Sequence, residues 1–214
     1  MQVIQGILLE PVGCLAEFPS EPFHEIAVRL FGRKGKASKS ASRSYWHLLN
    51  LMEAAPPLDE QGRRFAEALE TEAAVGASVY EDVLPALAKL HAMGVQISIA
   101  TSLSRVAGKR FLESSGLSEF LCGVWSRDDA GGVKAAPLQC ALQHLSLPGE
   151  HTIFLTDTAE GLKAAERAAV NAVLMMNDPD EARRLALHHP AGGVVSLHEL
   201  PDFVRLVRAQ NSAS

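Results

Sequence analysis

The chain has 214 residues, 47% of them hydrophobic, and a formal net charge of −5. That is enough apolar material for one domain with an insertion or for two small domains. The negative balance argues against general nucleic-acid affinity, and no apolar run reaches the roughly eighteen residues needed to cross a membrane. Three widely spaced cysteines, Cys14, Cys122 and Cys140, without CxxC or clustered histidines, support neither a disulfide framework nor a zinc site. Reduced thiols are expected. The start lacks the charged, apolar and small-residue blocks of a secretory signal, so a cytoplasmic address is expected.

In chain order, the first apolar run is Val3 to Leu9, followed by Glu10, Pro11, Val12, Gly13 and Cys14. From about Glu21 to Val79 no strand is evident, but three helical patterns are: "EPFHEIAVRLF", "SYWHLLNLMEA" and "LDEQGRRFAEALETEAA". Pro56 and Pro57 separate the last two. Between the first two lies a basic stretch, residues 32–43, with Arg33, Lys34, Lys36, Lys39 and Arg43 amid Gly and Ser. It reads as a solvated loop or as an electropositive lip that draws anions toward a cleft.

Four further apolar runs follow: Val95 to Ala100, Thr152 to Thr156, Asn171 to Met175 and, weakly, Gly193 to Val195. Each is continuous rather than alternating, as in strands covered on both faces of a parallel sheet. Helical patterns lie among them: "EDVLPALAKLHAMG", "SRVAGKRFLESSG", "PLQCALQHLSLPGE" and "DTAEGLKAAERAAV". The alternation predicts a doubly wound, Rossmann-like parallel α/β sheet over 1–18 and 78–214, with a small all-helical cap inserted after strand 1 over 19–77.

Open α/β sheets bind ligands beyond the carboxyl ends of their strands. Four loops should meet there, bringing Glu10, Thr101 with Ser102, Lys134, and Asp157 with Thr158. Carboxylates, hydroxyls and an ammonium in these places suit a phosphate accompanied by magnesium. Blander roles stand beside this one: Thr101, Thr158 and Asp157 as helix caps, Lys134 as a solvated ammonium, and Glu10 as a position without chemistry. No G-x-G-x-x-G follows the first strand and no G-x-x-x-x-G-K-[ST] occurs, which disfavours nucleotide loops. Cys14 has no assignable catalytic partners.

On "GILLEPVGCL", "SIATSLSR", "GGVKAAP" and "IFLTDTAEGLKAAERA", the chain resembles the haloacid dehalogenase superfamily, in particular its helical-cap phosphatases and phosphomutases. The resemblance implies magnesium-dependent hydrolysis of phosphate monoesters through an aspartyl phosphate, with the nucleophile at Glu10 and the acid/base group at Val12. It implies phosphate binding by Thr101, Ser102 and Lys134, and metal binding by Glu10, the Val12 carbonyl and Asp157. Glu10 and Val12 stand where the family has two Asp residues, Pro11 offers no N–H, and Thr156 replaces one of two acids. The expectation is a weak or inactive pseudo-phosphatase that holds magnesium poorly. Its expected partners are a phosphorylated or anionic small molecule, a protein or a second copy. The competing expectation is an active magnesium-dependent phosphatase using Glu10. Dehalogenases of the superfamily also lack the second Asp, but they attack with Asp rather than Glu.

Overall fold

A computed structural model describes residues 4–212. Strand β1 (Gly6–Leu9) runs into an irregular turn, α1 (Pro11–Cys14), and a two-residue strand, β2 (Ala16–Glu17). Helices α2 (Glu21–Phe31), α3 (Ala41–Ala54) and α4 (Glu60–Val75) form the insertion, and β3 (Ser78–Val79) returns antiparallel to β2. There follow α5 (Val83–Ala92), β4 (Gln96–Ala100), α6 (Arg105–Ser115), β5 (Val124–Trp125), α7 (Arg127–Ala130) and α8 (Ala135–Leu145). The chain continues through β6 (Thr152–Thr156), α9 (Ala159–Ala168), β7 (Asn171–Met175), α10 (Pro179–Leu185), β8 (Gly192–Val194) and α11 (Leu200–Ser212).

Six strands make one parallel sheet in the order β5-β4-β1-β6-β7-β8. The chain winds outward from β1 first to β4 and β5, then crosses back to β6, β7 and β8. With right-handed crossovers this places helices on both faces; α5 packs with α11, and α8 with α9. Ile7, Leu8 and Leu9 are fully buried, each side chain stabilising the core by about 1.5 to 3 kcal/mol relative to exposure. That burial explains why β1 has no alternation.

Local signals set the helix ends. Ser40, Asp59, Ser104 and Thr158 accept hydrogen bonds from the first turns of α3, α4, α6 and α9. Gly116 closes α6 in the left-handed region (φ 69°). The strands Val124–Trp125, Ala16–Glu17 and Ser78–Val79 are too short to show a period in the sequence. Helices α10 and α11 follow the last motifs and were not expected from them.

The insertion is fastened to the core through α4, which packs on α6. Glu70 of α4 is fully buried and pairs with the guanidinium of Arg127. It also accepts from the Ser104 N–H at 2.9 Å. Arg127 in turn donates to the Ser102 carbonyl at 3.0 Å. The Phe18 ring stacks on Phe111 of α6 with centroids 5.4 Å apart. Among the described residues, no helix is long and apolar enough to cross a membrane.

Candidate functional site

The central position of β1 fixes the site. Leu9 is in register with Ile99 of β4 and Leu155 of β6, so the residues just beyond these, Glu10, Thr101 and Asp157, emerge at one edge of the sheet. Glu10 is 2% exposed. Its Oε1 accepts from Thr101 Oγ1 at 2.8 Å, and its Oε2 accepts from the Tyr45 hydroxyl at 3.2 Å. The Tyr45 and Thr101 oxygens are themselves 3.2 Å apart. The Val12 N–H reaches Glu10 Oε1 only at 3.5 Å, a weak bond by length.

Burial pushes the Glu10 carboxyl up to about 8, against the opposing pull of the hydrogen bonds from Thr101, Val12 and Tyr45. Burial also drives the Tyr45 phenol well above its ordinary value, followed by the nearby Glu10 charge. Val12 is fully buried and apolar; no acid/base group stands at that position.

Asp157 does not cap a helix. Thr158 does, accepting from the Gly161 N–H at 3.1 Å. Asp157 accepts from Ser42 Oγ of α3 at 2.7 Å, and burial raises its carboxyl to about 6. Gly13 lies against it with φ 85°, and a Cβ there would stand 2.5 Å from Asp157 Oδ2. Only glycine satisfies both that dihedral and that space. Thr156 carries a buried hydroxyl without a hydrogen-bond partner among the described residues, where the family pattern implies a second acid.

Lys134 is placed differently from the expectation. Its backbone adopts φ 62°, ψ −101°, and its N–H donates to Ser102 Oγ at 2.7 Å. The ammonium donates to Asn50 Oδ1 (2.5 Å) and Glu53 Oε2 (2.6 Å) on α3, and this bond holds the Glu53 carboxyl below its usual range. So Glu10, Thr101 and Asp157 come together, while the Lys134 charge is met by the insertion.

The residues missed by sequence reasoning are Ser42, Tyr45, Asn50 and Glu53. Ser42, Tyr45, Leu49 and Glu53 fall at helical spacing on one stripe, which was the available signal. Only contact with the core distinguishes that stripe from an ordinary amphipathic face.

Beside Asp157 opens a cleft of about 540 Å³ whose walls include Lys39, Arg43, Asn177 and Glu181. The Arg43 guanidinium meets Glu181 at 2.6 Å. Of the basic stretch, Lys34, Lys36 and Lys39 are exposed. Magnesium takes charged oxygens and waters in near-octahedral array. Here both Glu10 oxygens accept from hydroxyls and Asp157 Oδ1 accepts from Ser42, and among the described residues no group of three or more His, Cys, Asp or Glu is placed to hold a metal. Glu10, the Val12 carbonyl and Asp157 are the groups that would hold such an ion, which takes one or two carboxylates from a protein and fills its other positions with water and phosphate oxygens.

A parallel α/β sheet with a helical cap over its carboxyl edge, and an acid after the first strand, defines the haloacid dehalogenase-like class. The chain belongs to the haloacid dehalogenase-like hydrolase family, which it matches over residues 38–175. It is similar to "Enolase-phosphatase E1" of Monosiga brevicollis, 30% identical over 161 residues that cover 68% of this chain and 53% of that protein. The chain thus spans about half the length of the curated relatives it matches. In fold it resembles a haloacid dehalogenase-like family hydrolase of Streptococcus pneumoniae (TM-score 0.71, 15% identity, 95% of this chain and 99% of that one). It also resembles CbbY of Rhodobacter sphaeroides solved with phosphate (TM-score 0.68, 17% identity, 92% and 96%).

Proposed function

We propose that this family member binds an anionic or phosphorylated small molecule with little or no hydrolytic turnover. The observation that carries the reading is the hydrogen-bonded group of Glu10, Tyr45 and Thr101. A carboxylate nucleophile must be ionised and must face the incoming atom at roughly 3 to 3.5 Å. The Tyr45 phenol stands against one Glu10 oxygen and Thr101 against the other, and burial favours the uncharged form of the carboxyl. Val12 can transfer no proton, and lost acid/base help costs about a hundred- to ten-thousandfold.

Binding is supported by Thr101 and Ser102 at the end of β4 and by the exposed lysines of residues 33–40, which raise the local concentration of anions. A protein partner or a second copy as the ligand is the alternative within the same reading. The curated relatives, enolase-phosphatases by name, favour a second reading, a phosphatase using Glu10.

A panel of phosphate monoesters with magnesium, assayed on the unaltered chain and on Glu10→Gln, decides between them. Equal background rates are expected. Turnover at ordinary phosphatase rates that disappears in Glu10→Gln would overturn the proposal.

A further inference from the structure

Helix α3 touches four of the polar groups at the site, Glu10, Thr101, Asp157 and Lys134, but not Ser102. Tyr45 bonds Glu10 and Thr101, Ser42 bonds Asp157, and Asn50 with Glu53 holds the Lys134 ammonium. An anion held by the Thr101 hydroxyl would place one oxygen within hydrogen-bond reach of Thr101 Oγ1, where an atom now stands at 3.2 Å. The Tyr45 oxygen is that atom.

The body of α3 is buried through Tyr45, Trp46, Leu48 and Leu49, and the segments at its two ends are irregular. It is entered through residues 33–40, where Gly35 has φ 112° and no heavy atom within 4 Å of where a Cβ would stand. It leaves through Ala55, Pro56 and Pro57, which break the helix. Helix α4, in contrast, is fixed by the buried pairing of Glu70 with Arg127.

We infer that α3 is an autoinhibitory latch: Tyr45 fills the oxyanion seat, Glu53 neutralises Lys134, and withdrawal of α3 uncovers an anion site built by Thr101, Ser102 and Lys134. This rests on the anion-binding reading above and adds its regulation. A ligand shifts such an equilibrium only through differential affinity for the open form. The latch therefore lowers apparent affinity by the fraction of molecules that are open.

The test is calorimetric titration of the full chain with inorganic phosphate, in four forms: unaltered, Tyr45→Phe, Tyr45→Ala, and Tyr45→Ala with Glu53→Gln. Tyr45→Ala is expected to bind at least about tenfold more tightly than the unaltered chain, and the double variant more tightly still, by reason of the freed ammonium. Tyr45→Phe, which removes the oxygen from the seat but leaves the ring over it, should gain less than Tyr45→Ala. Folded Tyr45→Ala and double variants that bind no better than the unaltered chain overturn the latch.

Should Tyr45→Ala not fold, amide hydrogen exchange of the unaltered chain with and without phosphate replaces it. Faster exchange confined to 41–54, with 60–75 unchanged, supports the latch; identical exchange in both conditions refutes it. Turnover of phosphate esters by the unaltered chain would instead sink the functional reading and leave these binding results to be judged separately.

Discussion

The hydroxyl of Tyr45 lies 3.2 Å from Glu10 Oε2, so a phenol from the helical insertion faces the acid that follows the first core strand. Both groups are essentially without solvent contact. Their meeting opposes the effect of burial on the Glu10 carboxyl and occupies the space above it.

The first consequence is a stability that falls with rising pH. The folded-state value of Glu10, about 8, lies above its ordinary 4.5, so folded molecules retain a proton that unfolded ones have released. The Glu10 contribution is fully present below pH 4.5 and is lost as pH rises through about 8. Asp157 acts in the same sense between 3.8 and about 6, so the interval from 6 to 8 isolates Glu10. Glu10→Gln keeps the shape without the titration. It should unfold at higher denaturant than the unaltered chain at pH 8, by on the order of 3 to 5 kcal/mol, with the gap closing toward pH 5. Urea melts across that range measure it. A variant less stable than the unaltered chain at pH 8 would show that Glu10 is ionised in the fold.

Tyr45→Phe probes the same contact from the other side. The change removes one donor from a buried carboxyl and one neighbour from Thr101, which should cost about 1 to 3 kcal/mol at pH 6. The Tyr45 hydrogen bond lowers the Glu10 value; without it, the alkaline loss of stability should end at a higher pH than in the unaltered chain. Melts of both proteins in parallel give the shift. An unchanged pH profile would mean that the phenol does not bond Glu10 in solution.

The core was legible because parallel strands buried on both faces leave continuous apolar runs. Thr152–Thr156 and Asn171–Met175 fall on the very residues expected. Glu10, Thr101 and Asp157 were legible because each follows such a run. Lys134 was placed in the right loop, but its side-chain direction depends on Asn50 and Glu53, some eighty residues earlier, and no local pattern encodes that. Tyr45 sat inside a segment read only as helix, because its role arises when α3 is laid over β1. The two-residue strands were invisible for want of length, and the pairing of Glu70 with Arg127 for want of any sequence proximity.

That pairing supplies a further test. Glu70 is fully buried and the Arg127 side chain is 13% exposed, so removing one partner strands the other in a medium that solvates it poorly. Glu70→Leu and Arg127→Met should each cost about 3 to 5 kcal/mol, whereas the double variant should cost clearly less than the sum. A double-mutant cycle by denaturant unfolding reads the coupling. Additive losses would show that the two charges do not depend on each other.

Restoring the family's acids is the most direct probe of the proposed lack of turnover. Glu10→Asp shortens the side chain by one methylene, and Val12→Asp returns a proton-transfer group, worth about a hundred- to ten-thousandfold where the surroundings allow. The surroundings here are not permissive. Tyr45 remains above the acid, Pro11 still lacks an N–H donor, Thr156 stands where a second acid would be, and Lys134 remains bound to Glu53. The double variant should therefore hydrolyse p-nitrophenyl phosphate with magnesium at the rate of the unaltered chain. Adding Tyr45→Ala and Glu53→Gln should raise the rate by at least about tenfold over that double variant, because both changes clear the place and the charge that a phosphate needs. A large gain from Glu10→Asp with Val12→Asp alone would locate the whole defect in the first loop and remove Tyr45 from the explanation.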